Sequence, residues 1–190
     1  MINHISLANF RAFKNAEIPL SKLNIFVGPN NSGKSSIISA VNLIAQNLKA
    51  GTKEYTLALN GPYVELGTFY DTVHGHTAKS VMSIGFVVDE YKYNYSYRYR
   101  PQKREIELIK AEMTGDGFRY QYTFGDSGVS QLVSSPEHKI QGFRPVQRSR
   151  VYGFNISHPL FQMTYRRVAD EFGLETYKSL RNFLFKTSSN

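Results

Sequence analysis

Cysteine and tryptophan are both missing from this chain of 190 residues. Without a thiol there is no disulfide, no thiolate metal site and no cysteine nucleophile, a composition that suits the cytoplasm. Acidic residues are scarce: 15 Asp and Glu stand against 23 Lys and Arg, which leaves a net charge of +8. That balance favours acidic partners, nucleic acid first among them. No apolar run approaches the roughly 20 residues that span a bilayer, so no membrane role is expected. The opening Met1-Ile2-Asn3-His4 lacks the charged-then-apolar order of a signal peptide. No Ser-His-Asp arrangement is legible, and no Asp/Glu cluster suggests a metal-dependent nuclease centre. Hydrophobic residues at 41% nonetheless allow a real core and argue against disorder throughout.

What the chain does have is Gly28-Pro29-Asn30-Asn31-Ser32-Gly33-Lys34-Ser35, a complete match to the P-loop pattern G-x-x-x-x-G-K-[ST]. Leu23, Ile25, Phe26 and Val27 ahead of it read as a short buried strand. Ile37, Ile38, Val41, Ile44, Ala45 and Leu48 behind it recur at helical spacing. Strand, glycine-rich loop and helix start together make a phosphate site. Gly28 and Gly33 can adopt dihedrals closed to other residues, which lets consecutive N–H groups converge on one point. A helix starting near Lys34 adds unpaired N–H groups and the positive end of its dipole. Lys34 then reaches the β- and γ-phosphates as the catalytic cation, and the Ser35 hydroxyl is placed to ligate Mg²⁺. ATP and Mg²⁺ are the expected ligands, with Gly28, Ser32, Gly33, Lys34, Ser35 and Ser36 among the nucleotide-binding residues.

Along the chain, Ile2 to about Arg11 and Ala16 to Leu20 read as a hairpin, with Pro19 at an edge. Gly51 is a reasonable helix stop, Asn60-Gly61-Pro62 a turn, and Tyr63 to His76 a loop with one helical turn. From Lys79 the texture becomes alternating: 81–88, 91–100, 105–113 and 118–124 read as strands of an antiparallel meander. Residues 134–153 look irregular, and 160–172 and 174–185 look helical around Gly173. The expected divisions are 1–76, a P-loop lobe; 77–135, the β subdomain; and 136–190, an irregular linker with helices.

Several signals admit two readings. Tyr91, Tyr93, Tyr95, Tyr97 and Tyr99 occupy alternate positions, so on a strand they share one face. They either cover the core, stack nucleic-acid bases, or form a dimer contact. Lys92, Arg98, Arg100, Lys103 and Arg104 form one acid-free cluster, and Arg144, Arg148, Arg150, Arg166 and Arg167 another. These are solvated surface, a weak nucleic-acid contact, or a surface that pairs with acidic residues of a missing segment or partner. Asp71, His74 and His76 are loop polar groups, groups near the nucleotide, or a weak metal-site candidate. Gly85-Phe86-Val87-Val88-Asp89-Glu90 imitates a Walker B strand, yet alternation resumes at Tyr91, which makes Asp89-Glu90 a hairpin turn.

The stretch Ile5-Ser6-Leu7-Ala8-Asn9-Phe10-Arg11-Ala12-Phe13, followed by Leu23 to Ser36, resembles the ATPase heads of the SMC, RecF and OLD group. Leu59-Asn60-Gly61-Pro62-Tyr63-Val64-Glu65-Leu66-Gly67-Thr68-Phe69 is similar to a stretch in bacterial ATPases of that group, some of which sit beside nucleases in Septu and retron anti-phage systems. The resemblance implies an α/β fold, the N-terminal lobe of an ABC-ATPase-like P-loop NTPase. That lobe would carry an inserted antiparallel β meander and C-terminal helices, and would belong to a longer ATPase. It implies that Arg11 lies near the nucleotide, that Asn30 and Asn31 shape the cradle, and that Gln141 or Gln147 touches Mg²⁺. Two heads would sandwich two ATP molecules as a homodimer that switches a DNA-related or anti-phage activity, with a nuclease or other effector, DNA or RNA as partner. No LSGGQ-like signature is legible, so this chain alone is expected to bind ATP without efficient hydrolysis. The rival readings are a self-contained AAA+ or kinase-like enzyme with Asp89 and Glu90 as Walker B, and a nucleotide-dependent nucleic-acid-binding module without turnover.

Overall fold

The computed structural model describes residues 1–49, 57–77, 79–88, 90–115, 117–125, 128–134 and 139–144. The alternating apolar residues form one antiparallel sheet of eight strands. They are β1 (Ile2–Phe10), β2 (Phe13–Pro19), β3 (Met82–Val88), β4 (Tyr91–Arg100), β5 (Glu105–Gly115), β6 (Phe118–Gly125), β7 (Gly128–Ser134) and β8 (Lys139–Arg144). Their order across the sheet is β2-β1-β3-β4-β5-β6-β7-β8. The N-terminal hairpin and the meander are therefore continuous: β1 pairs β3 with Ile5 opposite Phe86 and Leu7 opposite Ile84. β2 is an edge strand, and Pro19 closes it where its missing N–H breaks no ladder.

Helix α1 (Lys34–Lys49) and a short helix α2 (Phe69–Thr72) complete the described elements, with a 3-10 turn at His74–His76. One core joins Ile5, Leu7 and Phe10 of β1 and Met82, Ile84 and Phe86 of β3 to Ala40, Leu43 and Ile44 of α1. Leu57, Leu59, Leu66, Phe69 and Val73 extend it through the loop that follows α1. Polar groups of α1 fix that loop. Asn47 accepts from Ala58 N–H at 2.9 Å and donates to Ala58 carbonyl at 3.2 Å, while Gln46 Oε1 accepts from the N–H groups of Tyr63 and Val64.

The tyrosine row is core. Tyr91, Tyr93, Tyr95 and Tyr97 are buried, and Phe86 stacks on Tyr93 and Tyr95 with ring centroids 5.1 and 6.2 Å apart. Burial pushes the Tyr95 and Tyr97 phenols well above their ordinary range. Tyr99 stacks on Phe69 at 5.9 Å. A base-stacking platform needs open ring faces, so these rings do not provide one.

Three expectations change. Leu23 to Val27 is neither buried nor a strand: Leu23, Ile25 and Val27 are 78%, 79% and 89% exposed, and no strand pairs with them among the described residues. Apolar alternation sets where side chains point but supplies no neighbouring ladder. Secondly, α1 buries a face rotated from its apolar stripe, with Ser36, Gln46 and Asn47 inside and Ile38 half exposed. Thirdly, the meander runs two strands further than its first four, since β7 covers residues given no element of their own and β8 lies in the stretch read as irregular. Gly125 pairs Gly128, so β6 and β7 are antiparallel neighbours up to their facing ends. The helices expected at 160–172 and 174–185 lie outside the described residues.

Candidate nucleotide site

The P-loop runs directly into α1, whose first residue is Lys34. Gly33 has φ +94°, and a Cβ there would lie 2.6 Å from the Phe13 ring, so glycine is required both by conformation and by close approach. Its carbonyl accepts from the N–H groups of Ser36 at 2.9 Å and Ile37 at 3.1 Å, which starts the helix. The Lys34 ammonium folds back over the loop and donates to the carbonyls of Gly28 (2.7 Å) and Pro29 (2.6 Å).

The opposite wall comes from sequence-distant parts. The turn between β1 and β2 places Arg11 in the left-handed region at φ +46°, and Asn9 before it at φ +52°. Asn9 anchors this step by donating its amide to Val81 carbonyl at 2.8 Å, while Phe10 between them is fully buried. Arg11 N–H donates to Thr72 carbonyl at 2.7 Å, and His74 Nδ1 donates to Arg11 carbonyl at 2.9 Å. These bonds tie the turn to α2.

The α2 segment is itself stapled. Asn60 Oδ1 accepts from Leu66 and Gly67 N–H groups, and its amide donates to Gly67 carbonyl. Thr68 and Asp71 then form a reciprocal capping box on α2. The Thr68 hydroxyl and N–H hold the Asp71 carboxyl below its ordinary range, with help from the charges of His76 and Arg11.

Between these walls lies a cleft of about 740 Å³, a volume suited to a nucleotide-sized ligand. On one side it is lined by Asn30, Asn31, Ser32, Gly33, Lys34, Ser35 and Ser36; on the other by Arg11, Ala12, Asp71, Val73 and His76. Of the sequence-derived site residues only Gly28 is off this lining, and its carbonyl holds Lys34. Asp71 and His76 carried no pattern of their own; the hydrogen bonds to Arg11 bring their loop to the cleft. The hard-oxygen donor on the P-loop wall is the Ser35 hydroxyl, and no group of three or more His, Cys, Asp or Glu placed to hold a metal exists among the described residues. That sparse set fits Mg²⁺, which takes one or two protein oxygens and leaves the rest to phosphates and water.

Other sequence candidates fall elsewhere. Val88 pairs Tyr91, which makes Asp89-Glu90 a two-residue hairpin link. Because Ile2 pairs Val88, that link sits at the start of β1, whereas Arg11 follows its end, about 27 Å of strand away at the usual rise. The pairing favours the hairpin-turn reading of this link over a Walker B role. Gln141 lies on β8, six strands from β1 and so roughly 29 Å across the sheet; it does not reach the P-loop. Gln147, Arg148, Arg150, Arg166 and Arg167 lie outside the described residues. The cluster called acid-free along the sequence is not so in space: Glu107 on β5 takes Arg98 at 3.0 Å and Arg100 at 2.6 Å.

The AAA ATPase domain family matches residues 1–152. The chain is also 42% identical over 45 residues to the DNA replication and repair protein RecF of Streptomyces avermitilis, and 36% identical over 44 residues to the OLD nuclease of Thermus scotoductus. Each match takes in 23% of this chain, and they span 12% and 8% of those two proteins. No helix among the described residues is long and apolar enough to cross a membrane. A P-loop opening a helix, a cleft beside it and a family match over most of the sequence converge: the chain belongs to the AAA ATPase domain family.

Proposed function

We propose that this chain binds Mg²⁺-ATP in the cleft between the P-loop and Arg11. In this reading it is the ATP-binding lobe of an ABC-like head whose nucleotide-driven pairing switches a DNA-related or anti-phage activity. The observation that carries the reading is the single cleft wall formed by Asn30 to Ser36, with Lys34 at the start of α1. Its backbone N–H groups and helix dipole attract phosphate, Lys34 neutralises the β- and γ-phosphates, and Arg11 adds charge from the facing turn. Ser35 would hold Mg²⁺, which would offset the negative charge of the phosphates. The exposed Leu23, Ile25 and Val27 support a lobe completed by further strands, since the strand feeding a P-loop is normally interior. The RecF and OLD relatives support a role in DNA transactions.

Titration calorimetry tests the site. Lys34→Ala is expected to weaken Mg²⁺-ATP binding at least tenfold, and unchanged affinity would refute the assignment. A second reading, binding without turnover, is favoured by one observation: Asp71 is the sole carboxylate lining the cleft among the described residues, and it is engaged by Thr68. Positioned bases and charges supply nearly all catalysis in phosphoryl transfer. Phosphate release by residues 1–190 is therefore expected to stay near background. Turnover at ordinary enzyme rates, on the order of 1 per second or more, would overturn that expectation.

A further inference from the structure

The wall facing the P-loop has chemistry of its own. His76 Nδ1 lies 2.9 Å from Tyr70 carbonyl. A carbonyl only accepts, so Nδ1 carries the proton, and in the tautomer protonated there alone Nε2 is an acceptor. His76 is held there in the left-handed region at φ +52°, next to Gly75 at φ +71°. Asp71 shows the same division of labour. Its Oδ2 accepts from Thr68 N–H at 2.8 Å and Thr68 Oγ1 at 2.7 Å, while Oδ1 accepts no hydrogen bond among the described residues. Both side chains line the cleft.

Two acceptors on one wall do not suit phosphate, which is itself a rich acceptor and, beside Asp71, a like charge. They suit neighbouring donors. Phosphate belongs at the other wall, where Lys34 and the start of α1 carry the positive charge. A nucleotide lying between the walls presents one group of adjacent donors, the vicinal hydroxyls of its ribose. A carboxylate is well matched to such hydroxyls.

We propose that Asp71 Oδ1 and His76 Nε2 form a ribose-reading wall, accepting hydrogen bonds from the 2′- and 3′-hydroxyls of the bound nucleotide. This rests on the P-loop being the phosphate site. Arg11 is then the hinge of the arrangement: its own N–H and carbonyl hold the α2 segment, through Thr72 and His74, on the wall facing the P-loop.

The test compares ATP, 2′,3′-dideoxy-ATP and inorganic tripolyphosphate, each with Mg²⁺, by calorimetry on the full chain. His76→Asn tolerates the left-handed backbone and keeps a short donor for Tyr70, but removes Nε2. Asp71→Asn keeps an acceptor for the Thr68 cap and replaces the second oxygen with a donor. The unsubstituted chain is expected to prefer ATP over dideoxy-ATP by on the order of tenfold. Each variant is expected to bring that ratio close to one while leaving tripolyphosphate affinity unchanged. Lys34→Ala is expected to weaken all three ligands. An unaltered sugar preference in both variants overturns the proposal, as does no preference in the unsubstituted chain. A parallel loss of tripolyphosphate binding in both variants also overturns it, by assigning these residues to phosphate, metal or loop structure. If the unsubstituted chain binds neither ATP nor tripolyphosphate, the P-loop reading itself fails and this proposal falls with it.

Discussion

β3 and the segment feeding the P-loop are written in similar residues and meet opposite fates. Ile84 and Phe86 are 0% and 1% exposed, whereas Ile25 and Val27 are 79% and 89% exposed. The difference lies in neighbours. β3 has β1 on one side and β4 on the other, and β4 is reached through a two-residue link. Every strand from β3 to β7 pairs with its successor in sequence, so the meander is built from local contacts. Leu23 to Val27 has no such partner among the described residues. A strand pattern becomes a strand only when another backbone takes up its N–H and C=O groups.

Stability measurements can break that contrast. Phe86→Ala removes a ring packed on two tyrosines, and urea denaturation is expected to show a loss of about 3–5 kcal/mol. Ile25→Ala in the same chain is expected to stay within about 0.5 kcal/mol. Equal losses would mean that the P-loop segment is buried in solution, and the contrast would be gone.

A smaller effect sharpens it on the polar side of the meander. Glu107 is buried, while Arg98 and Arg100 remain partly exposed. Glu107→Gln keeps the shape and leaves two cations with a neutral acceptor, for an expected loss of about 1–3 kcal/mol. It also raises the local positive charge. Binding of a labelled DNA duplex at low salt is expected to strengthen in this variant and to fall steeply as salt rises. No change in DNA binding would show that this patch faces something other than nucleic acid.

The smallest effect is titratable. Burial raises the Glu112 pKa, but Lys110 at 2.7 Å and Arg119 at 3.1 Å outweigh it and hold the carboxyl below its ordinary value. A depressed folded-state pKa contributes stability above the unfolded value and loses it as pH falls through the folded one. The pair is partly solvated, so well under about 1 kcal/mol is at stake. Denaturation midpoints of the unsubstituted chain and Glu112→Gln are expected to differ at neutral pH and to converge in acid below the ordinary glutamate range. A gap that persists there would assign the difference to packing.

Much of this molecule was readable because its chemistry is local. Alternation located β1 to β6, Pro19 marked the edge, and resumption of the pattern at Tyr91 identified Asp89-Glu90 as a turn. The P-loop pattern named residues, Asn30 to Ser36, that line the cleft. Of the cleft's second wall, Arg11 came from the resemblance, whereas nearness to the nucleotide was only one of three readings for Asp71 and His76, because they arrive through hydrogen bonds between Arg11 and residues about sixty positions away. Pairing of the basic cluster escaped for a related reason. Only the β4–β5 register sets Arg98 opposite Glu107. β7 and β8 were missed where the alternation loosens, in Gly128-Val129-Ser130-Gln131-Leu132-Val133-Ser134.

The two carbonyls that hold Lys34 have one more consequence, for selectivity by ligand size. An anion entering the loop competes with Gly28 and Pro29 for that ammonium. At a net of about 1 kcal/mol for each hydrogen bond, releasing both costs about 2 kcal/mol, or roughly thirtyfold in affinity. Free orthophosphate or sulfate, touching little else, bears that cost almost unaided. A chain of three phosphates spreads it over many contacts along the loop. The lysine's resting pose thus works as a threshold that keeps abundant small anions from occupying the site.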